Sequence, residues 1–162
     1  MHRLTLTYSK PLLRQAVRGF WWRLVGWRFI AAMALVGGSL ATLVLRGDTS
    51  WVVGALASVL VFGIAVIVAL YVVHYRNALH KLKAMGHPQA TFEASEAHLW
   101  VSSGAGTATL PWTAVTEIWQ FKSCWLLLFS KAQFITLPLA DMTPETATFI
   151  VARVQAVGGK VS

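Results

Sequence analysis

The sequence has little charge and almost no cysteine. Only 12% of its 162 residues are Asp, Glu, Lys or Arg, which is about half the share in an ordinary soluble domain, while 56% are hydrophobic. A disordered chain needs high charge and low hydrophobicity, so that class is excluded. So few charges also fit a freely soluble domain poorly, and the composition predicts a small membrane protein.

The sequence also has few residues suited to thiol chemistry or metal binding. Cys124 is the single cysteine, so it cannot form a disulfide within the chain, and its apolar neighbours are typical of a buried side chain. The five histidines have neither a cysteine pair nor metal-ligand spacing among them. We therefore expect no metal and no cofactor.

Two long runs contain no charged residue. Residues 29–45 form a run of 17 and residues 51–73 a run of 23, and about 20 apolar residues cross a bilayer as a helix. We expect two transmembrane helices, joined by an extracytoplasmic turn at residues 46–50 in which Ser50 or Thr49 caps the second helix. Small residues such as Gly37 and Gly63 would permit close helix contact.

A secretory signal peptide is the competing interpretation of the first run. It fits poorly, because 28 residues precede the run and no small-residue cleavage site follows it.

The basic residues lie on one side of the predicted hairpin. Six precede the first run and three lie in residues 74–88, with no acidic residue among them, whereas the turn carries one Arg and one Asp. The positive-inside rule places both basic flanks in the cytoplasm. We predict a two-pass protein of the bacterial inner membrane with cytoplasmic N- and C-termini and with residues 74–88 as a basic linker.

The net charge of +8 does not indicate a nucleic-acid partner. Residues 88–162 carry four basic and five acidic residues, a net charge of −1, so the excess belongs to the membrane flanks. Binding of DNA or RNA needs a basic patch on a folded domain. We expect the lipid bilayer, and no nucleic acid, to attract the basic residues.

Residues 1–28 combine a short strand with a basic, aromatic helix. Residues 4–8 alternate between apolar and polar side chains, which predicts a strand able to pair with the C-terminal domain. Apolar residues then recur at positions 13, 17, 20, 24 and 27, which predicts an interfacial helix anchored at the headgroups, with a specific lipid-headgroup site as the alternative. The candidate membrane-surface and lipid contacts on the two flanks are Arg14, Arg18, Trp21, Trp22, Arg23, Trp27, Arg28, Arg76, Lys81 and Lys83.

Residues 89–162 form the predicted cytoplasmic domain. Two-residue alternation predicts six strands and a turn at residues 131–133, and Thr143, Pro144 and Glu145 predict the start of a helix that Gly158 and Gly159 end. The expected fold class is a membrane α+β protein, with a two-helix transmembrane hairpin and a small antiparallel β-sheet closed by a C-terminal helix. The predicted strands are residues 90–94, 98–102, 107–112, 116–122, 125–130 and 134–139.

The order of these features is similar to that of one family. The hydrophobic hairpin is followed by Thr91-Phe92, a Gly-rich turn, the motif LPWTAVTE at residues 110–117 and the motif ITLPL at residues 135–139. Over residues 4–160 this resembles the YcxB-like family of small bacterial membrane proteins, with Trp112 and Pro138 as landmarks. The resemblance implies a C-terminal domain similar to the pleckstrin-homology type and a membrane location, and it implies no catalytic residue.

No catalytic arrangement stands out in the sequence. There is no Gly-x-Ser-x-Gly motif, the acidic residues after position 90 form no obvious pair, and GAGT at residues 104–107 lacks the lysine and the helix of a phosphate loop. We expect a non-enzymatic protein that presents a cytoplasmic interaction domain to a protein partner, a membrane complex or a second copy. One form of this hypothesis is an immunity or accessory protein.

Two other function classes stay open. Sensing of anionic lipid headgroups is the first alternative, and an enzyme acting on a membrane substrate is the second. Large aromatic side chains are typical anchors of interfaces, so the tryptophans of the C-terminal domain are the candidate partner contacts, with core packing and burial against the membrane as the alternatives. They are Trp100, Trp112, Trp119 and Trp125.

Overall fold

The computed structural model describes residues 1–130 and 133–162. The chain divides into two compact units. One unit contains Met1–Val17 together with Tyr75–Ser162, so it is built from both ends of the chain, and the other is Arg18–His74. The first unit holds the β-strands, and the second holds most of the two long helices.

Two helices are long and apolar enough to cross a membrane. They are α1 at Lys10–Leu45 and α2 at Trp51–Ala84. Residues 74–84, predicted as part of a linker, continue α2, because this segment contains no glycine or proline to stop the helix. The helix ends shortly before Gly86, whose φ angle of 69° takes the chain into a turn.

Within Arg18–His74 the two helices pack through small residues. Gly63 is buried against the Met33 side chain, and a β-carbon at Gly63 would lie only 2.5 Å from Met33 Cε. Gly37 faces Leu60. Since the later residue of α1 faces the earlier residue of α2, the helices are antiparallel, and small side chains allow their close approach.

The backbone of α1 is interrupted at Gly26. This residue has a φ of 71° and a ψ of 153°, outside the helical region. Glycine adopts a positive φ without the steric penalty of a β-carbon. The interruption separates the basic, aromatic first half of α1 from a second half whose single charged residue is Arg28.

The turn between the helices is organised by Asp48. Its Oδ1 accepts a hydrogen bond of 2.7 Å from the backbone N–H of Ser50, directly before α2 begins. This bond and the one from the Ser50 side chain lower the pKa of the Asp48 carboxyl. The sequence analysis assigned the cap to Ser50 or Thr49 and overlooked this carboxylate.

Within residues 1–130 and 133–162, eight strands form two four-stranded sheets. In the first sheet the order is β1-β2-β3-β4 and all pairs are antiparallel. In the second the order is β7-β6-β5-β8, and β8 runs parallel to β5. The strands are β1 (His2–Thr7), β2 (Gln89–Ala94), β3 (His98–Ser103), β4 (Gly106–Pro111), β5 (Glu117–Gln120), β6 (Cys124–Leu128), β7 (Phe134–Pro138) and β8 (Lys160–Val161).

The six strands predicted after residue 89 correspond to β2–β7, and a small antiparallel sheet is present as predicted, although the prediction did not include its division from a second sheet. The strands form two sheets, and β8 adds a parallel pair that was not predicted. A strand of two residues is too short to show an alternating pattern, so the sequence held no sign of it. Lys131 and Ala132, part of the predicted turn, lie outside the described residues.

The N-terminal strand β1 completes the first sheet. It pairs with β2 residue by residue, from His2 opposite Ala94 to Thr7 opposite Gln89, as the alternation at residues 4–8 predicts. Its inward-facing Leu6 has no exposed surface. The core that Leu6 joins also contains Phe92, Ala94, Leu99, Trp112, Val115, Ile118, Leu127, Leu137, Ile150 and Val154.

Both faces of β6 are buried. Leu127 points into the core, whereas Cys124 and Leu126 lie on the opposite face and also have no exposed surface. The Ser123 hydroxyl donates a 2.7 Å hydrogen bond to Gln15 Oε1, which places the first turns of α1 beside the start of this strand. The buried residues in those turns are Leu13, Ala16 and Val17.

The C-terminal helix α3 spans Pro144–Ala156 and starts as predicted. The Thr143 hydroxyl caps it by accepting a hydrogen bond from the Thr146 N–H at 3.3 Å. Hydrogen bonds from its own backbone N–H and from the Thr143 side chain lower the pKa of Glu145, next to the positive end of the helix dipole. Ile150 and Val154 are buried in the core, whereas Val157, one residue beyond the helix, is exposed.

Truncation of Leu6 tests whether β1 is part of the folded domain. Leu6→Ala removes a buried side chain and leaves a cavity, so we expect a loss of about 2–5 kcal/mol of stability. Thr5→Ala is the matched control, because Thr5 is exposed on the same strand. Thermal unfolding of the full chain in detergent, followed by tryptophan fluorescence, measures both variants, and equal melting temperatures would contradict the role of β1.

Candidate functional site

The candidate basic contacts all lie at the surface. The candidates on α1 are exposed: Arg14, Arg18 and Arg23 before Gly26, and Arg28 after it. The candidates near the end of α2 are exposed as well, namely Arg76, Lys81 and Lys83. Exposed side chains of this kind keep their charge in water and can approach anionic headgroups.

The apolar stripe of the predicted interfacial helix divides into two parts. Leu13, Val17 and Phe20 are buried within the protein, with exposed fractions of 9% or less. Leu24 and Trp27 are exposed. The expectation that the whole stripe faces the membrane was therefore wrong for its first half, because helical spacing is the same for a lipid-facing and a protein-facing stripe.

Trp21 contacts α2. Its Nε1–H donates a hydrogen bond of 2.9 Å to the carbonyl oxygen of Ile67, and its ring meets the Tyr71 ring edge to face, with 6.1 Å between centroids. Phe20 meets the His74 ring in a similar way at 4.9 Å. These contacts could not be predicted from the sequence, since an aromatic cluster near a membrane flank equally fits a headgroup belt.

Trp22 and Trp27 differ from Trp21 in being largely exposed, at 59% and 74%. Exposed tryptophans on a helix next to an uncharged run are typical of the membrane interface. These two residues keep their place as candidate membrane contacts.

Trp112, one of the four candidate partner contacts, is buried, which matches the alternative of core packing. It is 3% exposed, and its Nε1–H donates a 2.9 Å hydrogen bond to the carbonyl oxygen of Ser95. Its ring meets the Phe149 ring edge to face, at 6.2 Å between centroids. Trp112 therefore belongs to the core, where its polar N–H is satisfied by the turn between β2 and β3.

The other three candidate tryptophans are half-buried. Trp100 lies on β3, Trp119 on β5 and Trp125 on β6. Trp125 packs against the hydrophobic core. The structure places them on three strands of two different sheets, and each keeps part of its ring accessible.

Phe149 of α3 is the centre of a polar and aromatic cluster that the sequence analysis missed. The His2 ring lies 4.7 Å from it and the Arg153 guanidinium lies 5.4 Å from it, in each case to the ring centroid. Arg153 also forms an ion pair of 3.1 Å with Glu96. The cluster connects β1 and the turn before β3 to α3, which is a structural role.

The edge strand β4 is the most exposed strand of the domain. Gly106, Thr107, Ala108 and Thr109 are all exposed, although strands usually bury one face. No Asp, Glu, Lys or Arg occurs from residue 97 to residue 116. This absence of charge was visible in the sequence, but its position on a sheet edge was not.

The titratable groups of the domain are mostly engaged in structure. Burial raises the pKa of the Cys124 thiol, and burial together with the negative charge of Asp141 raises the pKa of Tyr8, whose hydroxyl donates to the Thr136 carbonyl oxygen at 3.0 Å. Within residues 1–130 and 133–162, no group of three or more His, Cys, Asp or Glu side chains is placed to hold a metal ion.

The core position of Trp112 and the helix that follows the strands fit the family resemblance, and a comparison with protein families supports it over part of the chain. The family model described as YcxB-like protein matches residues 94–152. The chain contains a YcxB-like domain. The match runs from the end of β2 into α3, so it is shorter than the resemblance drawn from the sequence and does not include β1, the long helices or β8. Searches of curated proteins and of solved structures find no match.

Substitution of Trp112 tests its core role in the YcxB-like domain. Trp112→Phe removes the hydrogen bond to Ser95 and part of the ring volume, so we expect a loss of about 1–3 kcal/mol in unfolding free energy. Trp22→Phe is the matched control, because that ring is 59% exposed, and it should leave the melting temperature unchanged. Equal melting temperatures of the two variants would show that the assignment of Trp112 to the core is wrong.

Proposed function

We propose that the chain is a two-pass protein of the bacterial inner membrane that uses its YcxB-like domain to bind a protein partner at the cytoplasmic surface. The observation that carries the binding role is the exposed, uncharged edge strand β4. A strand edge offers unpaired backbone N–H and C=O groups, and many recognition domains bind a partner chain by adding it there.

Membrane insertion is supported by the surface of the two long helices. Almost none of the residues in their apolar windows is buried within the molecule. Examples are Phe62, which is 71% exposed, and Val61, which is 68% exposed. Because large contiguous apolar surfaces are rare on soluble monomers, a bilayer is the natural environment of this hairpin.

The proposed topology is supported by strand pairing as well as by charge. β1 precedes α1 and β2 follows α2, and the two strands pair along their whole length. Two segments can pair only on the same side of a membrane, so the N-terminus and the YcxB-like domain share a side. The basic flanks then make this side the cytoplasm.

The pleckstrin-homology type remains our proposal for the fold of the domain. Antiparallel strands followed by the closing helix α3 are the features that support it. A partner-binding role is consistent with such a scaffold, although a fold alone does not determine a function.

Binding of anionic lipid is the second candidate. It is favoured by the exposure of Arg14, Arg18, Arg76, Lys81 and Lys83, each of which gains about 1 kcal/mol near an anionic leaflet. This attraction needs no specific headgroup pocket. It therefore supports anchoring in addition to partner binding.

Labelling of single cysteines tests the topology. Thr49→Cys places a thiol in the exposed turn, and Ala152→Cys places one on the exposed side of α3. We expect a membrane-impermeant maleimide to label Thr49→Cys in spheroplasts and to label Ala152→Cys only after lysis. The native Cys124 should stay unlabelled in both, because it is buried and its thiol pKa is raised. Labelling of Ala152→Cys in sealed spheroplasts would refute the topology.

Capture experiments test the binding role of β4. When the tagged full chain is solubilised from its native membranes and purified, a partner protein should co-purify with it in a constant ratio to the chain. Thr109→Lys should lower its recovery about tenfold or more, because a lysine on an edge strand opposes strand addition. Thr148→Lys on α3 is the matched control and should bind normally, since both threonines are exposed. Equal recovery with the two variants would contradict the proposal.

A further inference from the structure

The edge of β4 is open along its whole length. β4 pairs with β3 in an uninterrupted register from Gly106 opposite Ser103 to Pro111 opposite His98. In the sheet order it is a terminal strand, so within the described parts of the chain no strand pairs with its other side. A straight strand without a bulge presents a regular row of backbone donors and acceptors.

Two of the other edge strands, β1 and β8, are protected. At β1, the backbone N–H of Thr7 donates to Asp141 Oδ2, and residues of β7 lie close to the strand. β8 is only two residues long and begins with Lys160. Short edges, charged residues and covering segments are the usual means of preventing unwanted strand pairing. Before Pro111, β4 has none of these protective features, which indicates that its edge binds another strand.

The sequence of β4 is symmetric about Ala108. Threonine stands on both sides, at positions 107 and 109, and these two side chains share one face of the sheet. If two copies pair antiparallel about Ala108, each Thr107 lies opposite the Thr109 of the other copy, and Gly106 lies opposite Leu110. Opposed threonines are favourable cross-strand pairs, and a glycine leaves room for the larger leucine.

We propose that the β4 edge binds the β4 edge of a second copy of this chain, which joins the first sheets of two molecules into one antiparallel eight-stranded sheet. The inference rests on the proposed function and names its partner. A two-fold pair of identical edges satisfies the backbone groups of both copies with one self-complementary contact.

Charge supports a second copy over an unrelated partner. In two identical molecules the basic flanks, residues 1–28 and 74–88, repel each other. The stretch from residue 97 to residue 116, which includes β3 and β4, carries no charged residue, so two copies meet there without like-charge repulsion. An edge adapted to a charged partner would carry a complementary charge, and this one carries none.

Disulfide trapping tests the contact and its register in the full chain in native membranes. Residues directly opposite each other in an antiparallel pair have Cα atoms about 4.5–5.5 Å apart, which lies within the range of a disulfide. Ala108→Cys should therefore give about tenfold more disulfide-linked dimer under mild oxidation than Ala152→Cys, its exposed control on α3.

The register provides a second measurement. Thr107→Cys should not cross-link with itself, because its Cα would lie about 8 Å from its counterpart, beyond disulfide range. Thr107→Cys co-expressed with a differently tagged Thr109→Cys chain should form the mixed dimer. All of these positions are exposed, and the buried Cys124 does not compete.

The outcomes distinguish this inference from the proposed function. Cross-linking of Ala108→Cys and of the mixed pair, with none for Thr107→Cys alone, supports the second copy. If Ala108→Cys cross-links no more than Ala152→Cys, the second copy is overturned. In that case, the binding role of β4 still holds if the chain captures another protein and Thr109→Lys abolishes this capture. If Thr109→Lys leaves the capture unchanged, both the second copy and the binding role of β4 are overturned.

Discussion

The pairing of β1 with β2 is the constraint on which the rest of the molecule depends. It joins a segment before the first long helix to a segment after the second, and the backbone N–H of Tyr8 extends it by donating to the Pro88 carbonyl oxygen at 2.8 Å. Closing a connection of this length as a flexible loop would be entropically unfavourable. The antiparallel packing of α1 and α2 lowers that cost, because it returns the chain to its starting side.

This arrangement makes the matched segment 94–152 a part of the folded unit and not the whole of it. Residues outside it supply β1, most of β2, the buried first turns of α1 and β8. Leu6 from β1 contributes to the same core as Leu99 and Ile150 of the matched segment. A fragment that begins after the long helices would therefore expose part of that core, so binding studies require the full chain.

Local patterns in the sequence predicted the elements well and their assembly less well. Alternation located β2–β7, and the Thr143 and Pro144 pair located the start of α3, because these signals depend on neighbouring residues alone. The division into two sheets, the burial of Phe20 and the place of Trp112 depend on contacts between distant segments. A tryptophan has the same local pattern whether its ring is in the core or at the surface, so its role could not be predicted from the sequence.

The order of synthesis follows from the position of β1 at the start of the chain. A ribosome adds about 5–20 residues per second, so the roughly 80 residues between β1 and β2 take several seconds to make. During this time β1 has no partner strand, and its apolar residues, Leu4 and Leu6, remain without their core. Both hydrophobic helices leave the ribosome before β2 does. Folding of the domain is therefore delayed until after the hairpin is synthesised, because its first sheet needs strands from both sides of the hairpin in the sequence.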